Sequence, residues 1–263
     1  GKAQIREPVI AFHPTPHQMR ICSRGTLSAH SLLMNRFVRF SFLLAALSLV
    51  PAAVALAVFP GAVGFGSHTV AGRGGQVYRV TNLNDSGPGS LRFGVQEIQG
   101  PRVIVFEVSG VIELESDLAV RPSSQGEYGF LTIAGQTAPA PGITLKNAGI
   151  AVRNHDVLIQ HLAIRPGTST AFPRLPRAGN RDSIKIEAPD GESTYNVVID
   201  HVSCSWAIDE TASTWSDGGS IYNVTFLHSI FAEPIRNGGA KSPSGYGPLA
   251  GRNTMGVSFI GNL

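Results

Sequence analysis

Four segments of the chain superpose without a gap: DVLIQHLAIR from Asp156, NVVIDHVSCS from Asn196, NVTFLHSIFA from Asn223 and GVSFIGNL from Gly256. Each opens on a polar residue or glycine and then alternates. Val157, Ile159 and Leu162 thus correspond to Val197, Ile199 and Val202, to Val224 and Phe226, and last to Val257 and Phe259. Period-two alternation marks a strand with one buried face. The starts lie 40, 27 and 33 residues apart, so the strand is kept while the connection varies, which is how a solenoid carries insertions on one face. FLTIAGQ (Phe130–Gln136) and RVIVFEVSGVIEL (Arg102–Leu114) alternate in the same way. No stretch of helical period separates the repeated segments, and Gly, Asn and Pro fill the space between them. The pattern predicts an all-β chain, a right-handed parallel β-helix (β-solenoid), with a β-sandwich as the structural alternative.

Equivalent positions of a solenoid stack about 4.8 Å apart on neighbouring coils. His161, His201 and His228 share one such position. They read as a polar ladder on a coil face rather than a metal site, because their neighbours supply no cysteine or matching ligand set. Asp200, beside His201, reads as a structural hydrogen-bonding group within its coil.

The formal charge of +3 over 263 residues suggests a polyanionic partner such as nucleic acid until it is divided along the chain. The first 57 residues hold six Lys or Arg against Glu7, whereas residues 58–263 hold fifteen against seventeen acids. The excess belongs to the leader, and nothing electrostatic points the rest of the chain toward nucleic acid. From Met34 the leader reads MNRFVRFSFLLAALSLVPAAVALA, with Arg36 and Arg39, an apolar run from Phe40 to Val50, and Ala55-Leu56-Ala57. That is the plan of a secretory signal peptide. Pro51 follows only eleven apolar or small residues, too few for a span of about 20, so no stable membrane insertion is expected. The expected organisation is a non-structural upstream segment 1–33, a signal peptide 34–57 and a β-helix domain 58–263. The expected location is secreted, extracellular or periplasmic. Cys22 lies upstream and Cys204 is then the one remaining thiol, so the domain cannot lean on an internal disulfide.

Several blocks together resemble the polysaccharide lyases of the pectate lyase type, in particular the bacterial branch with a short opening block. They are FPGAVGFG from Phe59, GRGGQVYRVTNLNDSGPGSLR from Gly72, VIVFEVSGVIEL from Val103, LTIAGQTAPAPGITL from Leu131, RDSIKI from Arg181, VVIDHVSCSWAIDE from Val197 and NVTFLHSIFAE from Asn223. They run in family order and correspond to its N-terminal portion. The resemblance implies a secreted monomer that cleaves polygalacturonate, or pectin, by β-elimination with calcium. A cation on the C6 carboxylate stabilises the enediolate that forms when the weakly acidic C5 proton leaves, and Ca2+ is a hard ion suited to oxygen ligands.

Carried over residue by residue, the resemblance makes Asp182, Asp209 and Glu210 the calcium ligands. Asn180 and Thr214 stand where some members have further aspartates, so this site is less acidic than the richest in the family. Lys241 in KSPSGYG resembles a lysine that holds a substrate carboxylate, although Gly239 and Ser244 replace histidines expected around it. Arg165 and Arg181 are further candidate carboxylate contacts, while Trp206 and Trp215 carry no assigned role. The family's arginine base lies in an Arg-x-Pro block beyond the SF-x-x-NL segment, here Ser258–Leu263, so the catalytic residue is expected after Leu263. The β-helix is accordingly expected to be truncated at its C-terminal end, with residues 58–263 alone inactive and poorly soluble.

Two other functions fit parts of the pattern. A glycoside hydrolase needs paired carboxylates flanking the bond; Asp209 and Glu210 are adjacent, and on a strand they would face opposite sides. A non-catalytic β-solenoid, a carbohydrate-binding or surface protein, fits the departures at Asn180, Thr214 and around Lys241.

Overall fold

The computed structural model describes residues 56–177, 180–236 and 244–263, which belong to one compact unit, Ala55–Leu263. The upstream segment 1–33, the signal-peptide residues 34–55, Cys22, Gly239 and Lys241 lie outside the described residues.

The strands come in triplets, one triplet per coil. After β1 (Gln76–Val80) follow β2 (Arg102–Phe106), β3 (Gly110–Glu113) and β4 (Leu118–Val120), then β5 (Leu131–Ala134), β6 (Ile143–Lys146) and β7 (Ile150–Val152). The third coil is β8 (Val157–Gln160), β9 (Leu162–Arg165) and β10 (Ile184–Glu187). The fourth is β11 (Ser193–Asp200), β12 (Ser203–Ser205) and β13 (Glu210–Trp215). The fifth is β14 (Ser220–Leu227), β15 (Ile230–Ala232) and β16 (Tyr246–Ala250), with β17 (Thr254–Ile260) beyond it. Each position in the triplet builds its own sheet. The first sheet runs β1-β2-β5-β8-β11-β14-β17, the second β3-β6-β9-β12-β15 and the third β4-β7-β10-β13-β16. Every pairing is parallel, which excludes the sandwich and makes the chain a parallel β-helix.

The gapless repeat is the hydrogen-bonded register itself. Val157 pairs with Val197, Val197 with Val224, and Val224 with Val257; Ile159, Ile199, Phe226 and Phe259 follow in line. Val157, Ile159, Val197, Ile199, Val224 and Phe226 are fully buried, and with Ile133, Leu145, Ile164 and Ile184 they fill the interior of the coil. Cys204 is buried in that stack, where burial pushes its thiol far up and leaves it inert. RVIVFEVSGVIEL, read as one alternating stretch, is two strands, because the chain turns between β2 and β3 to enter the next sheet.

Two left-handed residues bound the repeated strand of the first sheet. Asp156, just before β8, and Asn196, Asn223 and Gly256, inside β11, β14 and β17, open the repeated segment with φ of 52°, 55°, 56° and 62°, while His161, His201, His228 and Gly261 close it with φ of 52°, 52°, 45° and 64°. A single αL residue turns the chain from one sheet to the next, so this corner has constant length and the repeat needs no gap. Asx residues tolerate αL because their short polar side chains bond locally. Here Asn223 Nδ2 donates to Asn196 Oδ1 at 3.2 Å and Asn196 Nδ2 to Asp156 Oδ1 at 3.3 Å. Asn196→Ala is expected to cost about 2–3 kcal/mol, the αL penalty plus the ladder bonds. Asn196→Gly, which keeps the backbone, should cost only about 1 kcal/mol. Urea unfolding of the two variants measures the difference, and equal losses would remove the backbone from the explanation.

One short helix, α1 (Leu91–Gln96), closes the first coil with Leu91, Gly94 and Val95 buried. Ser90 caps it, its Oγ accepting from the Phe93 amide at 3.2 Å.

Candidate functional site

The corner between the second and third sheets takes the variable connections: 166–183 between β9 and β10, 206–209 between β12 and β13, and 233–245 between β15 and β16. The insertions seen as unequal repeat spacing therefore gather beside the third sheet. There Asp182, Asp209 and Glu210 bring ligand atoms within 4.8 Å of one another. They line a cleft of about 280 Å³ with Asn180, Glu187, Ser213, Trp215 and Leu249.

Register explains the convergence. Ile184 pairs with Ala212, and the Ser183 amide donates to the Glu210 carbonyl at 3.2 Å, so Asp182 and Glu210 lie opposite each other on adjacent coils. Asp209 does not alternate with Glu210 as it would inside a strand. It sits in the turn before β13, where the Ile208 and Asp209 amides both donate to the Arg181 carbonyl, and its carboxyl shares a hydrogen bond with that of Glu210. That corrects the expectation of opposite faces. It still leaves no room for a sugar bond between the two carboxyls, so the hydrolase pairing fails on distance.

Asp182 is 5% exposed. Ser213 Oγ donates to its Oδ2 at 2.5 Å, while its Oδ1 is buried with no hydrogen-bond partner. Burial, with the Asp209 and Glu187 charges adding to it, pushes the Asp182 carboxyl up to about 6 against the opposing Ser213 bond and Lys185 charge. Glu210 is pushed up to about 7, first by burial and then by Asp182 and Asp209; Asp209 is raised by burial. Three carboxyls thus crowd a low-dielectric site and hold protons that they would surrender in water. Lys185 supplies the nearest positive charge. Its side chain is 3% exposed and its ammonium lies 3.1 Å from Asp117 Oδ2 and 3.0 Å from the Asn180 carbonyl. Neither Lys185 nor Ser213 was singled out from the sequence. The alternation Ile184-Lys185-Ile186 turns Lys185 outward, and only the register with β13 sets it against Ser213.

The remaining candidates lie elsewhere. Arg181 is 4% exposed and donates to the Gly167, Ser169 and Pro176 carbonyls at 2.8–3.2 Å, so it clasps the 166–177 loop from within. Arg165 donates to the Ser203 carbonyl and Oγ, and its guanidinium lies 5.7 Å from the centre of the Trp206 ring. Arg165 and Trp206 line a separate cleft of about 290 Å³ beside the second sheet. Thr214, at a position where the resemblance allows a further aspartate, pairs with Ile186 and is fully buried. Asp200 is 1% exposed and is tied into the coil by Gln160, His201 and His228.

Buried carboxylates with an unpartnered oxygen suit a hard cation that takes six to eight oxygen ligands. The fold and cleft thus define a parallel β-helix protein with three clustered carboxyl groups beside one sheet. The chain is 41% identical over 194 residues to probable pectate lyase C of Emericella nidulans, a match covering 73% of this chain and 40% of that protein. It is also 41% identical to probable pectate lyase C of Aspergillus flavus, covering 73% and 41%, and 31% identical over 162 residues to pectate lyase 3 of Ambrosia artemisiifolia, covering 56% and 38%. The chain spans about two fifths of the length of these curated relatives. The resemblance to pectate lyases therefore stands, and these relatives are fungal and plant proteins rather than bacterial ones. Among solved structures, the major allergen of cedar pollen matches with a TM-score of 0.46 and 24% identity over 73% of this chain and 58% of that one. A pectate lyase variant from Xanthomonas campestris matches with a TM-score of 0.40 and 14% identity, over 76% and 71%. No family model matches the chain.

Proposed function

We propose that this chain carries the cation-binding part of a secreted pectate lyase, acting on polygalacturonate or pectin by calcium-assisted β-elimination. The observation that carries the reading is the buried, unpartnered Oδ1 of Asp182 facing Asp209 and Glu210; the similarity to curated pectate lyases supports it. Asp182, Asp209 and Glu210 would hold the calcium, whose charge favours the enediolate of a uronate. Ser213 fixes the rotamer of Asp182, and Lys185 offsets part of the carboxylate charge while no cation is present. Lys241 and Arg165 are proposed to meet substrate carboxylates. Arg181 would act less directly, by holding the loop that carries Asn180 and Asp182. The base is proposed to come from an arginine of an Arg-x-Pro block that follows Leu263 in the family. Residues 34–57 are proposed as the export signal and 58–263 as a monomeric β-helix domain; among the described residues no helix is long and apolar enough to cross a membrane. Membership of the family's bacterial branch, with its short opening block, remains part of the proposal.

The test is retention of the chain on immobilised polygalacturonate. Retention should require calcium, disappear with chelator, and weaken at least about tenfold in Asp182→Asn, since ligand charge sets calcium affinity. Calcium-independent retention, or retention unchanged by Asp182→Asn, would sink the reading. With a protein that includes the Arg-x-Pro block, an ultraviolet-absorbing unsaturated product separates the lyase from a non-catalytic β-solenoid that binds the same polymer.

A further inference from the structure

The histidine ladder is better organised than its sequence pattern suggests. His161 and His201 stack with ring centres 4.8 Å apart and planes 15° from parallel, and His201 and His228 lie 5.0 Å apart with planes tilted 43°. Both His201 Nδ1 and His228 Nδ1 meet the same oxygen, Asp200 Oδ1, at 2.7 and 3.1 Å. A carboxylate oxygen accepts, so each Nδ1 donates, which in a neutral imidazole leaves the lone pair on Nε2. Asp200 is itself held from behind, Gln160 Nε2 donating to its Oδ2 at 2.8 Å and Gln136 Nε2 to Gln160 Oε1 at 3.1 Å. Carboxylate support of one ring nitrogen, with the other left to coordinate, is the arrangement that orients histidines at metal sites.

The ladder is also bounded. Glycine stands at the equivalent position on the coils at either end: Gly261 takes the left-handed corner with φ of 64°, whereas Gly135 opens a 3-10 turn, Gly135–Thr137. His161, His201 and His228 take the left-handed conformation that Gly261 adopts without cost, so the three rungs hold side chains where the backbone alone would favour glycine. The imidazoles of His201 and His228 are 49% and 44% exposed. His161, His201 and Asp200 offer ligand atoms within 4.8 Å of one another, and a zinc-like ion bridges nitrogens up to about 4.2 Å apart, so binding requires the stacked rings to turn toward one another.

We propose that the outer face of this ladder binds a divalent transition-metal ion of the zinc, nickel and copper class, through imidazole nitrogens of His161, His201 and His228 with Asp200 as their support. Imidazole selects such ions and the oxygen cluster of the cleft selects calcium, so the two sites are chemically independent.

Calorimetric titration of Zn2+ into the purified chain, in excess calcium, is expected to show saturable binding. His201→Asn keeps an αL-tolerant residue at the middle rung and should weaken zinc binding about tenfold or more. His161→Gly keeps the left-handed corner accessible, as glycine does at Gly261, and should weaken it as well, while circular dichroism reports that both variants fold. Asp182→Asn should leave zinc affinity unchanged. No zinc binding, binding equal to that of the unaltered chain in both ladder variants, or loss of zinc binding in Asp182→Asn would each overturn the proposal. None of these outcomes depends on lyase activity.

Discussion

Replacing Arg102 with methionine is expected to unfold the domain or to remove most of its stability. Arg102 opens β2 and its side chain is wholly buried. The guanidinium donates to the Gly94, Val95, Gly100, Tyr128 and Gly129 carbonyls at 2.9–3.1 Å, so five donor contacts serve five backbone acceptors and no carboxylate is among them. The carbonyls of Gly94 and Val95 belong to α1, and those of Tyr128 and Gly129 to the approach to β5, so one side chain pins the helical cap to two coils. Burial lowers its pKa to about 10, which leaves it charged at neutral pH. Methionine fills similar volume but donates nothing, and each buried acceptor left without a donor costs about 1–3 kcal/mol. Relief of the buried charge offsets part of that sum, and a net loss of about 4–6 kcal/mol compares with total stabilities of about 5–15 kcal/mol. Arg102→Lys should rescue little, because an ammonium has three donors and no planar fork. Urea denaturation followed by circular dichroism measures both variants. A loss below about 1 kcal/mol would mean that the cap contributes little to the stability of the coils behind it.

The parts of this molecule that were legible in the sequence are those of constant length. Corners at His161, His201 and His228 are single αL residues, so β8 with β9, β11 with β12, and β14 with β15 superpose as written, and the hydrophobic register follows. The third sheet offers no such alignment. Its strands β10, β13 and β16 follow connections of different length, and nothing in RDSIKI or ETASTW reveals that Lys185 lies against Ser213 or Asp182 opposite Glu210. The acids of the cleft could be named from family resemblance, but their convergence depends on that hidden register and on the turn that takes Asp209 out of strand alternation. The helix α1 escaped notice because six residues make less than two turns and show no period. Arg181 looked like a cleft residue because of its neighbour Asp182. Its burial depends on the 166–177 loop folding back over it, which no local pattern encodes.

Calcium affinity is expected to fall steeply with acid, and the stability of the cation-free chain to move the opposite way. Asp182 and Glu210 are pushed up to about 6 and about 7, and calcium held at the proposed site would require both as carboxylates. From pH 8 to pH 5 the two must together surrender protons held one and two units above the final pH, so affinity should drop on the order of a thousandfold. Without cation the folded chain holds these protons more tightly than the unfolded chain does, whose carboxyls titrate near 4. Stability from this site is therefore present in full below about pH 4 and is lost as pH rises through 6 and 7. For the buried Asp182 alone the loss amounts to about 3 kcal/mol. Calcium should cancel the loss at pH 8, where the carboxylates are free to bind it, and should do little at pH 5. Thermal unfolding at the two pH values, with calcium and with chelator, gives the four midpoints needed. Asp182→Asn combined with Glu210→Gln removes both titrating groups and should flatten the calcium-dependent difference, which isolates the site from the other carboxyls of the chain. A calcium affinity that stays level from pH 8 to pH 5 would mean that neither carboxyl has to lose a proton to bind the ion, and would place the cation elsewhere than between Asp182 and Glu210.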